Sequence, residues 1–140
     1  MWRFFCGGYG MILSNMNERK KKILIVEDDE DISRIYDIKF SHEGYDTILA
    51  KSGEEVLEKI LNERPDLIML DLMLPKKDGF MVIEEIKKNQ EVKNTPILVI
   101  SNLGQKSDED RVIALGANGY IVKVRCSTQE VVDKAKSFLQ

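Results

Sequence analysis

The sequence has no excess of positive charge and no long apolar segment, and both absences exclude a class of protein. Its 21 Lys and Arg residues are outnumbered by 24 Asp and Glu residues, which gives a formal net charge of −3. A protein that mainly binds nucleic acid carries clustered Lys and Arg in excess, so we expect no direct nucleic-acid partner. A helix needs about 20 apolar residues to cross a bilayer. No run approaches that length, and we expect no membrane association.

Cysteine and histidine are almost absent. Cys6 and Cys126 lie far apart in the chain, without the spacing of metal ligands. We therefore expect both to be reduced thiols in a cytoplasmic protein. His42, the only histidine, ends an amphipathic segment, and we interpret it as a surface residue.

The first 20 residues differ from the rest of the chain. Aromatic residues and glycines follow one another there without the period of a helix or a strand. The segment lacks the uninterrupted apolar region and the small-residue cleavage site of a signal peptide. We interpret residues 1–20 as a poorly ordered extension, in preference to a tail that touches a membrane or a partner. Residues 21–140 are predicted to form one domain.

From Ile23 onward, short apolar runs alternate with amphipathic helical patterns. The runs are Ile23–Val26, Tyr45–Ala50, Leu67–Leu70, Ile97–Ser101 and Tyr120–Lys123. Five β-α units of this kind predict a parallel sheet with helices on both faces, and right-handed crossovers leave few strand orders to consider. We predict an α/β fold of the flavodoxin-like, doubly wound type, with a five-stranded sheet in the order 2-1-3-4-5.

Helical spacing and capping residues predict details of the helices. One face of the first helix, expected to be buried, carries Ile32, Ile35, Tyr36, Lys39 and Phe40. Asp29, just before this helix, is interpreted as its N-cap or first-turn acid. Ser52 with Glu55, and Ser127 with Glu130, have the spacing of capping boxes that begin later helices.

Polar residues stand at the ends of four of the five strands. Glu27 and Asp28 follow the first strand, Asp71 follows the third, and Ser101 and Lys123 end the fourth and fifth. Parallel strands end at the same edge of a sheet, so these side chains are expected to meet in one pocket. Asp71 taken alone has an even chance of being only a loop cap. A capping role for Asp71, however, does not explain why two other acids, the Ser101 hydroxyl and Lys123 stand at the same edge of the sheet.

The expected pocket suits a hard cation and a phosphoryl group. Clustered carboxylates raise one another's pKa values unless a cation is present. Mg²⁺ prefers oxygen ligands, and together with Lys123 it would neutralise the charge on a phosphoryl group during transfer. Carboxylates also act as nucleophiles that form aspartyl phosphates. Asp71 is the best candidate, since it alone ends a fully apolar strand.

The chain from Lys22 to Gln140 resembles the receiver domain of two-component response regulators. Each matching motif is weak alone, but together, in order and at the family's spacings, they are specific. The motifs are Ile25-Val26-Glu27-Asp28-Asp29, Leu70-Asp71-Leu72-Met73-Leu74-Pro75 through Asp78-Gly79, Ile100-Ser101, and Tyr120-Ile121-Val122-Lys123.

The resemblance implies a Mg²⁺-dependent phosphoacceptor site. Asp71 would take a phosphoryl group from a sensor histidine kinase or a phosphotransfer protein. Asp28 would bind Mg²⁺ directly and Glu27 through water, and Asp71 and the backbone carbonyl of Met73 would complete the protein ligands. His42 is assigned no part in phosphotransfer.

The resemblance also implies a switch. Lys123 would contact the phosphoryl group, Ser101 would move its hydroxyl onto it, and Tyr120 would turn inward behind it. The alternative for Tyr120 is an ordinary half-buried strand residue. The change would reshape the face formed by the fourth helix, the fifth strand and the last helix, which would bind a downstream effector or a second copy of the chain.

Because no further domain follows Gln140 in this sequence, we expect a single-domain response regulator similar to the chemotaxis regulators. It would catalyse its own phosphorylation and dephosphorylation, but it would act mainly as a signalling switch and not as a turnover enzyme.

Two positions depart from the family pattern. Val124 follows Lys123 where most receivers have a proline after a cis bond. A cis bond before another residue costs about 2.5–4 kcal/mol, so we predict a trans bond and a re-routed loop. Asn102 follows Ser101 where the family usually has a smaller residue, and its side chain is expected to narrow access to Asp71.

The alternative function is a receiver-like module that signals by protein contact without phosphorylation. Such a module would have no need of the three acids, Ser101 and Lys123. A phosphatase of the haloacid-dehalogenase type would need a second Asp where Met73 stands. A flavodoxin-type electron carrier would need a hydroxyl- and glycine-rich phosphate loop after the first strand, where this chain has acids.

Overall fold

Within residues 19–140, five parallel strands form a central sheet in the order β2-β1-β3-β4-β5, which confirms the predicted topology. The computed structural model describes residues 19–140, so most of the predicted extension, residues 1–18 with Cys6, lies outside the described residues. The strands are β1 (Lys22–Val26), β2 (Asp46–Ala50), β3 (Leu67–Leu70), β4 (Ile97–Ser101) and β5 (Gly119–Val122).

Between Arg19 and Gln140, five α-helices cover the two faces of this sheet. They are α1 (Glu30–His42), α2 (Val56–Glu63), α3 (Gly79–Lys88), α4 (Lys106–Leu115) and α5 (Thr128–Lys136), and 3₁₀ turns span Gly53–Glu55 and Lys123–Arg125. None of the helices in the described part of the chain has the length and apolar character that a membrane crossing requires.

Each of the central strands contributes to two apolar cores because successive side chains point to opposite faces. In β3, Ile68 and Leu70 pack on the face covered by α2, α3 and α4, while Leu67 and Met69 pack on the face covered by α1 and α5. All four are almost completely buried. Burial on both faces explains why the strand reads as an uninterrupted apolar run.

The register of the strands brings their carboxyl ends together. Val26 at the end of β1 is paired with Leu70 at the end of β3, and the Asp71 amide donates a hydrogen bond to the Val26 carbonyl over 3.1 Å. Glu27 and Asp71 therefore leave the sheet side by side, although 44 residues separate the two strand ends in register. This pairing fixes the position of the candidate site.

The predicted buried face of α1 is wrong at Ile35. This side chain is 45% exposed, whereas Ser33, Tyr36 and Phe40 are buried. Successive residues of a helix are about 100° apart, so a buried stripe through Ser33, Tyr36 and Phe40 places Ile35 about 130° from the centre of that stripe, toward solvent. The stripe includes a small polar residue that the apolar pattern could not indicate.

The capping predictions hold for two helices and are wrong for a third. Asp29 caps α1 by accepting hydrogen bonds from the next turn, and Ser127 with Glu130 forms the complete capping box of α5. Ser52 makes no cap hydrogen bond to the backbone, and its hydroxyl donates to the Glu55 carboxylate instead.

Gly53, directly after Ser52, lies where two loops approach closely. A Cβ atom on the buried Gly53 would lie 2.3 Å from the Lys77 carbonyl oxygen. The chain passes through a 3₁₀ turn at Gly53–Glu55 and α2 begins only at Val56, so Ser52 precedes a 3₁₀ turn and not an α-helix.

Asp66 joins the starts of β1 and β3, and its removal is expected to destabilise the fold. Its carboxylate accepts a hydrogen bond from the Lys22 amide over 2.8 Å and pairs with Arg19 over 2.9 Å. We expect Asp66→Ala to lower the free energy of unfolding by about 1–2 kcal/mol, measured by urea denaturation. The exposed Glu30, paired with Lys51 on the surface, provides a control: Glu30→Gln should leave the stability nearly unchanged.

The effect of Asp66→Ala should also depend on pH. Burial opposes the charged form of Asp66, but the Lys22 amide and Arg19 outweigh it and hold its pKa below the ordinary value of 3.8. A lowered pKa means that the contribution is present above pH 3.8 and is lost as the pH falls through the folded-state value. A difference between variant and wild type that grows toward acid pH would contradict this assignment.

Candidate functional site

Three carboxylates meet at the carboxyl edge of β1 and β3. Glu27 and Asp71 are 5% and 6% exposed, whereas Asp28 faces solvent. Each offers one oxygen atom, and these atoms lie within 4.8 Å of one another. The structure thus brings together the three acids that the sequence predicted for one pocket.

Lys123 completes this group from the end of β5. Its ammonium nitrogen lies 2.5 Å from Glu27 Oε2 and 3.1 Å from Asp71 Oδ2, and its side chain is largely buried. One amine therefore bridges the two buried carboxylates. Because β5 is two strands away from β3, the long Lys side chain is what allows the contact.

Burial and charge shift the pKa values of the bridged groups. Burial raises the pKa of Glu27, and the nearby charge of Asp71 adds to the effect, while Lys123 opposes it. For Lys123, burial disfavours the charged form, but the hydrogen bond to Glu27 and the charges of Asp71 and Glu27 outweigh it and raise its pKa. The ammonium form is therefore held firmly in the pocket.

The net charge of the pocket is negative, which suits a divalent cation. Three carboxylates and one ammonium group carry an excess of negative charge, since Lys123 is the one cation within contact distance among the described residues. Within residues 19–140, Asp28 has no ion pair and no side-chain hydrogen bond of its own. An oxygen-rich, partly open donor set of this kind fits Mg²⁺, which retains several of its waters.

The loop after β3 holds Asp71 in place. The Met73 amide donates a hydrogen bond of 3.0 Å to Asp71 Oδ1, while Oδ2 faces Lys123. The Met73 side chain is exposed, so this residue acts on the site through its backbone. Its predicted role as a carbonyl ligand remains a prediction.

Gly79, the first residue of α3, allows this loop to pack closely. A Cβ atom there would lie 2.6 Å from the Leu72 Cα and 2.8 Å from the Asp71 carbonyl oxygen. Asp78 caps the same helix by accepting from the Met81 amide over 3.0 Å. The apolar pattern did not indicate the Asp78 cap or the close packing at Gly79, although an Asp-Gly pair directly before an apolar helical pattern is a recognisable helix-start signal.

Ser101 and Tyr120 are both tied to Leu103, in the loop after β4. Ser101 is fully buried, and its Oγ accepts a long hydrogen bond of 3.4 Å from the Leu103 amide. Tyr120 is half-buried, and its hydroxyl donates to the Leu103 carbonyl. Both side chains therefore bond to the backbone of the same residue, Leu103. Asn102, between Ser101 and Leu103, is exposed. The movement of Ser101 and Tyr120 on phosphorylation remains a prediction.

The segment after Lys123 has the trans bond and the re-routed loop that were predicted. The Lys123–Val124 peptide bond is trans, and a 3₁₀ turn re-routes the chain over Lys123–Arg125. Val124 is 78% exposed, and the Arg125 guanidinium lies beside Gly104 in the loop after β4. His42 is exposed, as predicted, and Cys126 is a half-buried free thiol.

Comparisons with known proteins agree with this fold. Residues 23–136 match the family model of the response regulator receiver domain. The chain is 40% identical over 122 residues to the "Probable transcriptional regulator ycf27" of Porphyridium aerugineum, a match that covers 87% of this chain and 49% of that protein. The chain therefore spans about half the length of the curated relatives it matches.

Two solved structures are similar over most of the chain. The BeF₃-activated N-terminal receiver domain of Klebsiella pneumoniae RstA is 26% identical with a TM-score of 0.78, and the match covers 86% of this chain and 99% of that one. The Mn²⁺-bound form of the response regulator Rcp1 is 29% identical with a TM-score of 0.73, over 84% of this chain and 90% of the other.

Removal of the exposed acid tests whether the cluster binds metal. We expect Asp28→Asn to weaken Mg²⁺ binding by about tenfold or more, because one of few hard ligands is lost, while the fold is unaffected. Isothermal titration calorimetry measures the affinity. Asp31, an exposed acid in the first turn of α1, is the matched control, and Asp31→Asn should bind Mg²⁺ like the wild type. Equal affinities for all three proteins would contradict the site.

Proposed function

The chain belongs to the response regulator receiver domain family, and we propose that it is a phosphorylated switch of a two-component phosphorelay with Asp71 as the phosphoacceptor. The observation that carries the proposal is the environment of Asp71. A buried carboxylate is fixed between an ammonium group and a backbone amide, beside two further acids. None of these neighbours is needed to end a strand, but all of them suit phosphoryl transfer.

The proposed donor is a histidine kinase or a phosphotransfer protein. An Asp71 oxygen attacks phosphorus, the phosphorus–nitrogen bond to the donor histidine breaks, and the imidazole leaves as a neutral group that keeps the proton on its other ring nitrogen. The Met73 amide and Lys123 orient the attacking carboxylate before the reaction, which lowers the entropic part of the barrier. Lys123 then balances the negative charge that the phosphoryl oxygens bring into the pocket.

We infer that Mg²⁺ is the metal partner of the acids. Asp28 would hold it directly, Glu27 through water, and Asp71 and the Met73 carbonyl would provide the remaining protein oxygens. When bound, the cation supplies charge neutralisation for the phosphoryl group. The Mn²⁺-bound form of Rcp1 supports a divalent ion in a related structure.

The proposed output is a change at the loop after β4. A phosphoryl group on Asp71 would attract the Ser101 hydroxyl, and the Leu103 contacts of Ser101 and Tyr120 would be exchanged. Tyr120 would then move inward and alter the face formed by α4, β5 and α5. An effector protein, or a second copy of the chain, would bind the altered face. The BeF₃-activated form of the RstA receiver supports activation by a phosphoryl mimic in a relative.

The cellular setting of the switch is also a proposal. A cytoplasmic location suits a receiver domain, and no nucleic-acid contact is assigned to residues 19–140. The relative named as a transcriptional regulator is about twice as long as the matched segment, so its output belongs to that whole protein. That this receiver works as a single-domain protein therefore stays a prediction.

Phosphoryl uptake that depends on Asp71 tests the proposal against a phosphorylation-independent module. We expect the wild type to take up the phosphoryl group of acetyl phosphate in Mg²⁺, as seen by intact-mass spectrometry, and to bind beryllofluoride. Asp71→Ala should do neither. The acid Asp66, which lies at the opposite end of β3, provides the control: Asp66→Asn should be labelled like the wild type. Equal labelling of Asp71→Ala and wild type would contradict the assignment of Asp71 as the phosphoacceptor.

A further inference from the structure

Beneath the carboxylates lies a small cavity that includes a tyrosine from α1. Its volume is about 10 Å³, and its lining includes Glu27, Asp71, Tyr36 and the apolar side chains of Ile25 and Met69. Ile25 and Met69 are paired in register and point to the α1 and α5 face of the sheet. The cavity therefore connects the acidic pocket with the core beneath α1.

Tyr36 brings a polar group to this apolar layer. The residue is only 7% exposed, and within residues 19–140 its hydroxyl makes no hydrogen bond to a protein group. A buried hydroxyl without a partner costs about 1–3 kcal/mol, so such groups are rare in folded proteins. A cavity needs at least about 10–15 Å³ to hold one water molecule with polar partners, and this cavity, at about 10 Å³, lies at the lower end of that range.

The electrostatic surroundings of the Tyr36 hydroxyl agree with its position in the cavity beside Glu27 and Asp71. Burial raises the pKa of Tyr36, the charges of Glu27 and Asp71 raise it further, and Lys123 opposes them. All three charged groups of the pocket thus act on the phenol. The protonated hydroxyl is a hydrogen-bond donor, and the carboxylates of Glu27 and Asp71, which line the same cavity, accept such bonds strongly.

We propose that Tyr36 is a positioning residue of the site, whose hydroxyl reaches Glu27 and Asp71 through one water in the cavity. The proposal rests on the proposed function, because the carboxylates it positions are the ligands inferred for Mg²⁺. Lys123 holds one oxygen of each buried carboxylate. A donor from the α1 side would limit their rotation from the other direction and keep them aimed at the metal.

The hydroxyl alone can be removed by Tyr36→Phe, which keeps the ring in the core. Loss of a supporting hydrogen bond behind a metal ligand typically lowers metal affinity by 10–100-fold, and a link through water is expected at the lower end. We expect Mg²⁺ affinity to fall about tenfold by calorimetry, with the urea midpoint close to that of the wild type. Tyr45→Phe is the matched control, since Tyr45 is half-buried against the same core and packs on Phe40.

A second measurement does not depend on the metal. A high-resolution crystal structure of the metal-free wild type should show one water within hydrogen-bond distance of the Tyr36 hydroxyl and of a carboxylate oxygen of Glu27 or Asp71. The same water should be missing in Tyr36→Phe. A dry cavity in the wild type would overturn the proposal, and so would unchanged Mg²⁺ affinity in Tyr36→Phe.

These outcomes are distinct from a failure of the proposed function. If the wild type binds Mg²⁺ and is labelled at Asp71 while Tyr36→Phe behaves identically, only the role of Tyr36 is wrong. If the wild type itself has no Mg²⁺ affinity, the proposed metal function fails, and the buried water then decides whether Tyr36 contacts the carboxylates.

Discussion

The contact between Lys123 and the two buried carboxylates is the interaction on which the candidate site depends. Glu27 and Asp71 emerge from neighbouring strands whose register leaves them side by side, and burial makes their charges costly. One ammonium group spans both. It compensates for part of the charge and leaves a pocket that still favours a cation. Because the acids outnumber Lys123, the pocket keeps the excess of negative charge on which the proposed Mg²⁺ binding and phosphoryl transfer depend.

The fold supplies this geometry through its topology. Parallel strands end at one edge, so the ends of β1, β3 and β5 bring two acids, a third carboxylate and a lysine together from distant parts of the chain. The loops add precision: the Met73 amide fixes one oxygen of Asp71, and Gly79 lets α3 approach the Asp71–Leu72 backbone. Ser101 and Tyr120 meet at Leu103, which places the candidate switch one loop away from the chemistry.

The sequence was sufficient where the physical signal is periodic or chemical. The alternation of five apolar runs with helical patterns predicted the strand order, and the strand ends at Glu27, Asp71 and Lys123 predicted that these side chains meet. The sheet has that order, and the three side chains lie together. The sequence was insufficient where one contact between distant segments decides. Packing sets the rotation of α1, so that Ser33 is buried and Ile35 is exposed. Ser52 precedes a 3₁₀ turn in which Gly53 lies against the Lys77 backbone, and it makes no cap hydrogen bond. Tyr36 reads as an ordinary core residue until its cavity is known.

Chemical identification of the phosphorylated residue tests the central claim most directly. Acetyl phosphate and Mg²⁺ would be added to the wild type, the acyl phosphate reduced with borohydride, and the resulting peptides sequenced by mass spectrometry. The account predicts homoserine at position 71, with Asp28, Asp29 and the other acids unchanged. Reduction at another residue, or no reduction anywhere while Mg²⁺ is bound, would contradict the assignment of Asp71 as the phosphoacceptor.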